Sequence, residues 1–390
     1  MKSNSIYLDY NATTPIATEV FQSMLPLLQE NFGNPSSSHW YGTQAKRAVE
    51  QGRSQIAAML GCQTKEVIIT SGGTEANNFA IKGIAEKYRS KGNHIIVSSV
   101  EHPSVTQVGQ YLSNHGYDIS IAPVDKFGRV SIDKLEKLIT PQTILLSIMH
   151  ANNEVGTIQP ITEISRIAHK NGILIHTDAA QSVGKIPVLI DELQVDLLSI
   201  AGHKIYAPKG IGALYIRSGV EVSNFIHGAG HEMGKRAGTE NVAFIAGLGK
   251  ACELIKDNLE YYSSHMRSVR EHLEQGLLES RFDVRINGHP EQRLPNTLNV
   301  SFKGIKADVF LRSLDSIAAS AGAACHSDQV KISGVLEAMN IPTEYAMGAV
   351  RFSTGRGTSI ADIEKALSDI ATTIDKMRSQ PADHQVNDTR

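Results

Sequence analysis

From residue 66 to residue 217, short runs of apolar, β-branched residues alternate with segments of helical period, and that rhythm leaves few folds open. The predicted strands are 66–70, 94–100, 117–124, 143–150, 172–177, 196–200 and 212–217, with helix-period segments at 74–91, 104–115, 131–139 and 162–171. The strands read as continuous apolar runs rather than alternating ones, as burial on both faces requires. The expectation is an α/β fold: a mostly parallel, seven-stranded sheet covered on both faces by helices. Beyond about Gly228 the rhythm changes. A helical stretch spans 241–280, followed by strand-like 296–302, helix-like 307–315, a strand-like run before Cys325, strand-like 349–353 and a helix from about Ser359. This reads as a smaller α+β domain. The organisation expected is an N-terminal segment 1–16 packing on the small domain, a large domain 17–255 and a small domain 256–378. A polar tail, 379–390, has no apolar period and is expected to be disordered.

Composition narrows the class of function. Thirty-eight basic against forty acidic residues give a net charge of −2, so nothing calls for nucleic acid or an anionic membrane as a partner. No apolar run approaches the roughly 20 residues of a membrane helix, and the N-terminus lacks the apolar core of a signal peptide. Three cysteines, Cys62, Cys252 and Cys325, are too few and too irregularly spaced for a disulfide framework or a zinc knuckle. A reducing, cytoplasmic setting with free thiols is expected.

Five stretches carry candidate chemistry. In SGGTEANN (71–78) a strand runs into Gly72 and Gly73 and a helix begins near Thr74. Backbone N–H groups and the helix dipole make this a phosphate cradle, although it lacks both the P-loop and the dinucleotide fingerprint; alone it is equally a capped strand–helix turn. In ILIHTDAAQ (173–181) Asp178 lies at the C-terminal end of an apolar strand, where open α/β sheets bind ligands; alone it is equally a helix N-cap. In DLLSIAGHKIYAPKG (196–210) a strand delivers His203 and Lys204. A buried lysine is costly unless its amine is neutralised or bonded, and a Schiff base does that; an edge lysine reaching water is the plain alternative. Phosphate cup, strand-end acid and strand-end lysine together form the set that holds pyridoxal phosphate. His102, in SSVEHPS, is placed to stack on such a ring, and Asn153, in HANNEVG, to bond its hydroxyl or the substrate carboxylate. In SAGAACHSD (320–328) Cys325 sits among small residues beside His326, on an expected mobile loop where a neighbouring base can activate the thiol. Cys62 and Cys252 read as small core residues. In VRFSTGRGT (350–358) Arg351 is a natural clamp for an α-carboxylate; Arg356 is assigned a structural or phosphate-side place.

These stretches, with YLDYNATTP, GNPSSSH, RAGTEN and RLPNTLNVSF, resemble in order the NifS/IscS-type cysteine desulfurases among the class V, fold-type I pyridoxal-phosphate enzymes, from about Tyr7 to about Met377. The resemblance implies a large cofactor-binding domain and a smaller C-terminal domain carrying the reactive cysteine. It implies Lys204 as the Schiff-base lysine, Asp178 on the pyridinium nitrogen, Gln181 on the ring hydroxyl and His102 stacked on the ring. Gly73, Thr74 and His203 would bind phosphate, and Thr239 would reach the phosphate of a neighbouring subunit in a homodimer. Asn153 and Arg351 would hold the substrate carboxylate, and Cys325 would form the persulfide that passes to a sulfur-acceptor protein, as in iron–sulfur cluster assembly. Two departures stand out. Ala201 replaces a serine that many members use on the phosphate, and GAACHSD is closer to selenocysteine lyases. Pro103, after the stacking histidine, speaks against the lyase pattern. The substrate implied is L-cysteine, with L-selenocysteine as the alternative; an aminotransferase of the same fold, which would not need Cys325, and a non-catalytic scaffold are the competing readings.

Overall fold

The computed structural model describes residues 5–326 and 329–379, with the backbone alone described at 323–326 and 329–331. The chain opens with a short strand β1 (Ile6–Tyr7) and helices α1 (Thr18–Gln29) and α2 (Trp40–Leu60). Strands and helices then alternate: β2 (Val67–Thr70), α3 (Gly73–Lys87), β3 (His94–Ser98), α4 (Pro103–Ser113), β4 (Asp118–Ala122), α5 (Ile132–Leu138), β5 (Thr143–Ser147), α6 (Ile161–Lys170), β6 (Leu174–Asp178), α7 (Ile190–Leu193), β7 (Leu197–Ala201) and β8 (Gly212–Ile216). Strands β2 to β8 form one seven-stranded sheet in the order β2-β8-β7-β6-β5-β3-β4. β8 runs antiparallel to both its neighbours and every other pair is parallel. The predicted α/β architecture is therefore present, each predicted strand in place with its ends moved by a few residues. Strand 94–100 stops at Ser98 because the chain turns there: Ser98 Oγ bonds the Glu101 carboxyl and Ser99 N–H returns to Ala122 O.

The sheet is buried on both faces. One face packs beneath α3 and α4 through Phe79, Ile84, Val105 and Leu112. The other packs through Ile96, Leu146, Ile175 and Leu198 against α2, α6 and the long helix α8 (Val242–Leu278). Helix α2 has no clean apolar period in the sequence, since glycines stand where side chains would. The reason is close approach. A Cβ on Gly52 would lie 2.7 Å from Ile245 O, and one on Gly249 would lie 2.5 Å from Gly52 Cα, so the backbones of α2 and α8 nearly touch.

Helix α8 belongs to both halves of the molecule. Its first turns, through Ile245, Leu248 and Ile255, join the large core. Its last turns, through Val269, Leu273 and Leu277, join the small one. The expected boundary at 255/256 falls inside this single element. The small domain continues with β9 (Val284–Asn287), β10 (Thr297–Phe302), α9 (Ala307–Ser313), β11 (Ile317–Ala318), β12 (Ser320–Ala321), β13 (Ala323–His326), β14 (Gln329–Ile332), α10 (Gly334–Ala338), α11 (Thr343–Ala346), β15 (Ala349–Ser353) and α12 (Ile360–Ser379). Its main sheet is antiparallel, in the order β12-β15-β10-β9. β9 is a half-buried edge strand carrying Arg285, which is why its apolar signal is weak. The tail expected at 379–390 falls, beyond Ser379, outside the described residues.

The N-terminal segment is shared. β1 pairs in parallel with β11, and Asp9 bridges Ser353. The chain then crosses to the large domain, where Thr14 N–H donates to His203 O (2.9 Å) and Ala17 N–H to Tyr206 O (3.0 Å). Among the described residues no helix is long and apolar enough to cross a membrane.

Candidate active site

Because β2, β3, β5, β6 and β7 all run the same way, their C-terminal ends form one rim. Brief turns from that rim deliver Gly72–Thr74 after β2, His102 after β3, Asn153 after β5, Asp178 at the end of β6 and His203–Lys204 after β7. These are the crevice positions where open α/β sheets take ligands. A cavity of about 210 Å³ lies there. It is lined by Gly73, Thr74, His102, Asn153, Asp178, Gln181, His203, Lys204 and Arg351, together with Asn11, Ala12, Asn77 and Ser104. Nine of the residues expected from sequence thus meet in one place.

The sheet side of the cavity is a connected network. Asp178 Oδ2 accepts from Asn77 Nδ2 (2.7 Å), and its Oδ1 accepts from the main-chain N–H of Ala180 (2.9 Å). Asn77 Nδ2 also donates to Ser104 Oγ (2.8 Å), which lies 2.8 Å from His102 Nδ1. His102 Nδ1 further accepts the main-chain N–H of Ser104 (3.1 Å), so in the neutral ring the proton sits on Nε2. Burial pushes the His102 pKa down and holds the ring neutral. Glu101, next to it, is buried and its pKa is raised by that burial to about 8.

Lys204 sits opposite. Its Nζ donates to the main-chain oxygens of Asn11 and Ala12, at 2.8 Å for Ala12. Burial, and then the Arg351 charge, lower its pKa to about 8, against smaller opposing pulls from Asp178 and Asp9. An amine of this kind is a usable nucleophile and base near neutrality. Burial and the Lys204 charge bring His203 down to about 4.

On the small-domain side Arg351 is tightly held. Its Nη2 bonds Asp9 Oδ1 (2.7 Å) and Ser320 Oγ (2.9 Å), and its Nη1 donates to Asn153 O (3.0 Å). Its buried Nε has no partner. Cys325, expected on a loop, lies in β13 opposite Val330 of β14; its side chain lies outside the described residues. Thr239 is exposed and does not line the cavity. Cys62 follows the left-handed Gly61 that ends α2, and Cys252 is buried within α8. Burial raises both thiols to about 12. Arg356 stacks over Tyr206 (4.3 Å) and Tyr262 (3.8 Å), away from the cavity lining.

Residues the sequence reading missed are Asp9, Asn11, Asn77, Ser104 and Lys185. Asn77 follows Thr74 by three residues inside a motif already singled out, and Asn11 lies in YLDYNATTP, so the signals were present as polar residues in apolar company. Lys185 closes HTDAAQSVGK, the stretch that carries Asp178 and Gln181, but it was given no role there.

The donor set fits pyridoxal phosphate. Helix α3, 15 residues long, starts at Gly73 with no side-chain cap, so its first N–H groups face the cavity with the Thr74 hydroxyl. Gly73 is needed there: a Cβ would come 3.2 Å from Ala201 Cβ and fill the cradle. Asn77 Oδ1 is buried without a partner beside Asp178, an orphan acceptor of the kind a bound group relieves.

Comparison with known proteins points the same way. The Aminotransferase class-V family model matches residues 6–366. The chain is 46% identical to cysteine desulfurase IscS of Dictyoglomus turgidum over 376 residues, covering 96% of this chain and 95% of that protein. It is 45% identical to cysteine desulfurase IscS of Methanosarcina thermophila, covering 97% and 94%. Among solved structures, a NifS-like protein superposes with a TM-score of 0.90 at 36% identity, over 95% of this chain and all of that one.

Proposed function

The chain belongs to the class-V aminotransferase family, and from that premise we propose that it is a pyridoxal-phosphate-dependent cysteine desulfurase that converts L-cysteine to L-alanine and keeps the sulfur as a persulfide on Cys325. The observation that carries this reading is one cavity in which the strand-end lysine, the strand-end carboxylate, the neutral histidine and the uncapped helix start of α3 converge. The sulfur chemistry rests on the cysteine desulfurase relatives.

Bound in this cavity, the cofactor supplies an aldehyde for amines and a ring that accepts electrons from the substrate Cα–H bond. Lys204 would hold it covalently, with Thr74, Gly73 and His203 on the phosphate, Asp178 on the ring nitrogen, Gln181 on the ring hydroxyl and His102 against the ring face. Asp178 is fixed by Asn77 and Ala180, so its carboxylate is aimed before the ring arrives. Lys204, brought to about 8, takes the Cα proton. Arg351 and Asn153, both on the cavity lining, orient the substrate carboxylate. The Cys325 thiolate then attacks the substrate sulfur. An S–S bond forms as the Cβ–Sγ bond breaks, Cβ takes up a proton, alanine leaves and the sulfur stays on Cys325.

The enzyme acts as a homodimer in this reading. Thr239 does not line its own cavity and the α1–α2 region exposes Phe21, Leu28, Phe32 and Trp40, apolar surface of the kind that marks an interface. A sulfur-acceptor protein, as in iron–sulfur cluster assembly, receives the persulfide. The test pairs two substrates. Wild-type protein should form alanine from L-cysteine, with a persulfide mapped to Cys325 and a borohydride-fixed cofactor mapped to Lys204, and Cys325→Ser should release no sulfide. Turnover confined to L-selenocysteine, or a fixed cofactor on another residue, overturns the proposal.

A further inference from the structure

One buried titratable group has no part in that chemistry. Lys185 lies in the turn segment after β6, seven residues beyond Asp178, and only 5% of it is exposed. Its Nζ donates to Gln181 Oε1 (2.6 Å) and to Asn11 Oδ1 (3.0 Å). Neither acceptor is charged, an unusual setting for a buried lysine. Burial, and then the charges of Lys204 and Arg351, push its pKa well down.

We propose that Lys185 is a positioning residue: by donating to Gln181 Oε1 and Asn11 Oδ1, it fixes the Gln181 amide with its nitrogen toward the cavity and locks Asn11 as the platform for Lys204. An amide side chain has two orientations that differ only in which end donates. Lys185 commits the oxygen end. The nitrogen end then donates to Asn11 O (2.9 Å), the same carbonyl that receives Lys204, and one N–H is left for a bound group. Asn11 is pinned in the same way. Its Oδ1 takes Lys185 and Asn296 Nδ2 (3.0 Å), so its Nδ2 must donate, to Thr297 Oγ1 (2.8 Å) and Asn153 O (3.2 Å). Lys185 thereby acts on the cofactor through Gln181 without lining the main cavity.

This inference rests on Gln181 meeting the ring hydroxyl of pyridoxal phosphate. A donor on that oxygen favours the form in which it is fully anionic. Losing the donor should therefore raise the pH midpoint of the bound cofactor's visible band. The experiment is a double-mutant cycle on the reconstituted protein, reading cofactor Kd and that midpoint for wild type, Lys185→Met, Gln181→Leu and the double variant. Each single variant should weaken cofactor binding roughly tenfold and raise the midpoint by about one unit, the worth of one buried hydrogen bond. The double variant should fall clearly short of the sum of the two single effects, because both act on the Gln181 amide. If the two effects add, Lys185 does not act through Gln181 and the inference falls. If wild-type protein binds no cofactor and has no visible band, the functional reading falls with it, a distinct outcome. Should Lys185→Met not fold, Lys185→Gln, which keeps an N–H pair, is read instead: it should leave cofactor Kd and band midpoint close to wild type, and a loss as large as that of Gln181→Leu overturns the inference.

Discussion

The two sides of the cavity are built by different means. On the sheet side most groups sit within a few residues of a strand end, and Asp178 and His102 take their partners from the starts of the helices that follow the strands: Asp178 from Asn77 of α3, His102 from Ser104 of α4. On the small-domain side the partners are distant in sequence. Arg351 is held by Asp9 and Asn11 N–H by Ser353 Oγ, each 342 residues away. The sheet side is fixed by the same hydrogen bonds that end its strands, so its geometry comes with the fold. The opposite wall exists only once remote segments have met. Substitutions on the first side should therefore strike chemistry, and those on the second should strike binding.

Lys204→Ala gives the largest effect expected. It removes the base, and alanine formation should fall by at least roughly 10²–10⁴-fold with unchanged circular dichroism; a rate within tenfold of wild type would erase the distinction between the two sides. Arg351→Lys comes next. It keeps a charge but loses the planar fork, and KM for L-cysteine should rise roughly 10–100-fold with kcat within a few-fold. A fall in kcat at constant KM would put Arg351 on the chemical side.

The third prediction concerns pH. Lys204 captures an aldehyde only as the neutral amine, and its pKa is lowered to about 8. Cofactor uptake by cofactor-free protein should thus be slow at low pH, fall about tenfold per unit below that value, and level off above it. Stopped-flow absorbance reads this directly, and a rate still climbing toward the ordinary lysine range would show that the pocket does not depress the amine. Smallest of all, Cys62→Ser and Cys252→Ala should change persulfide yield by less than about twofold. Both thiols are held near 12 and are not thiolates at neutral pH. Loss of sulfur transfer in either would add a second sulfur carrier to the picture.

The same contrast explains what could be read in the sequence. Strand ends were legible because burial on both faces makes continuous apolar runs, and because Asp178, His102 and Lys204 each follow such a run at once. The glycines of the α3 cradle were legible through their link to the helix start. The roles of Asn11 and Lys185 were not, although Asn11 stands in a stretch the sequence marks, because a polar residue is costly inside only if its partners are absent, and theirs come from β10, β15 and the turn after β6. The Asp9–Arg351 pair joins the two ends of the chain, and no local pattern reports it. Helix α2 was hidden for a further reason: its packing uses missing side chains, at Gly52 against α8, rather than apolar ones.

The route taken by residues 6–17 bears on how the protein is made. This stretch is translated well before its partners at Ile317, Ser353 and Thr297, with Asn11 separated from the latter two by 342 and 286 residues. The carbonyls of Asn11 and Ala12 meet the Lys204 amine only after at least 192 further residues, and the Asn11 N–H meets Ser353 only after 342. A nascent or truncated chain can build its large sheet and still lack a finished pocket, so competence for catalysis waits on the arrival of β10 and β15.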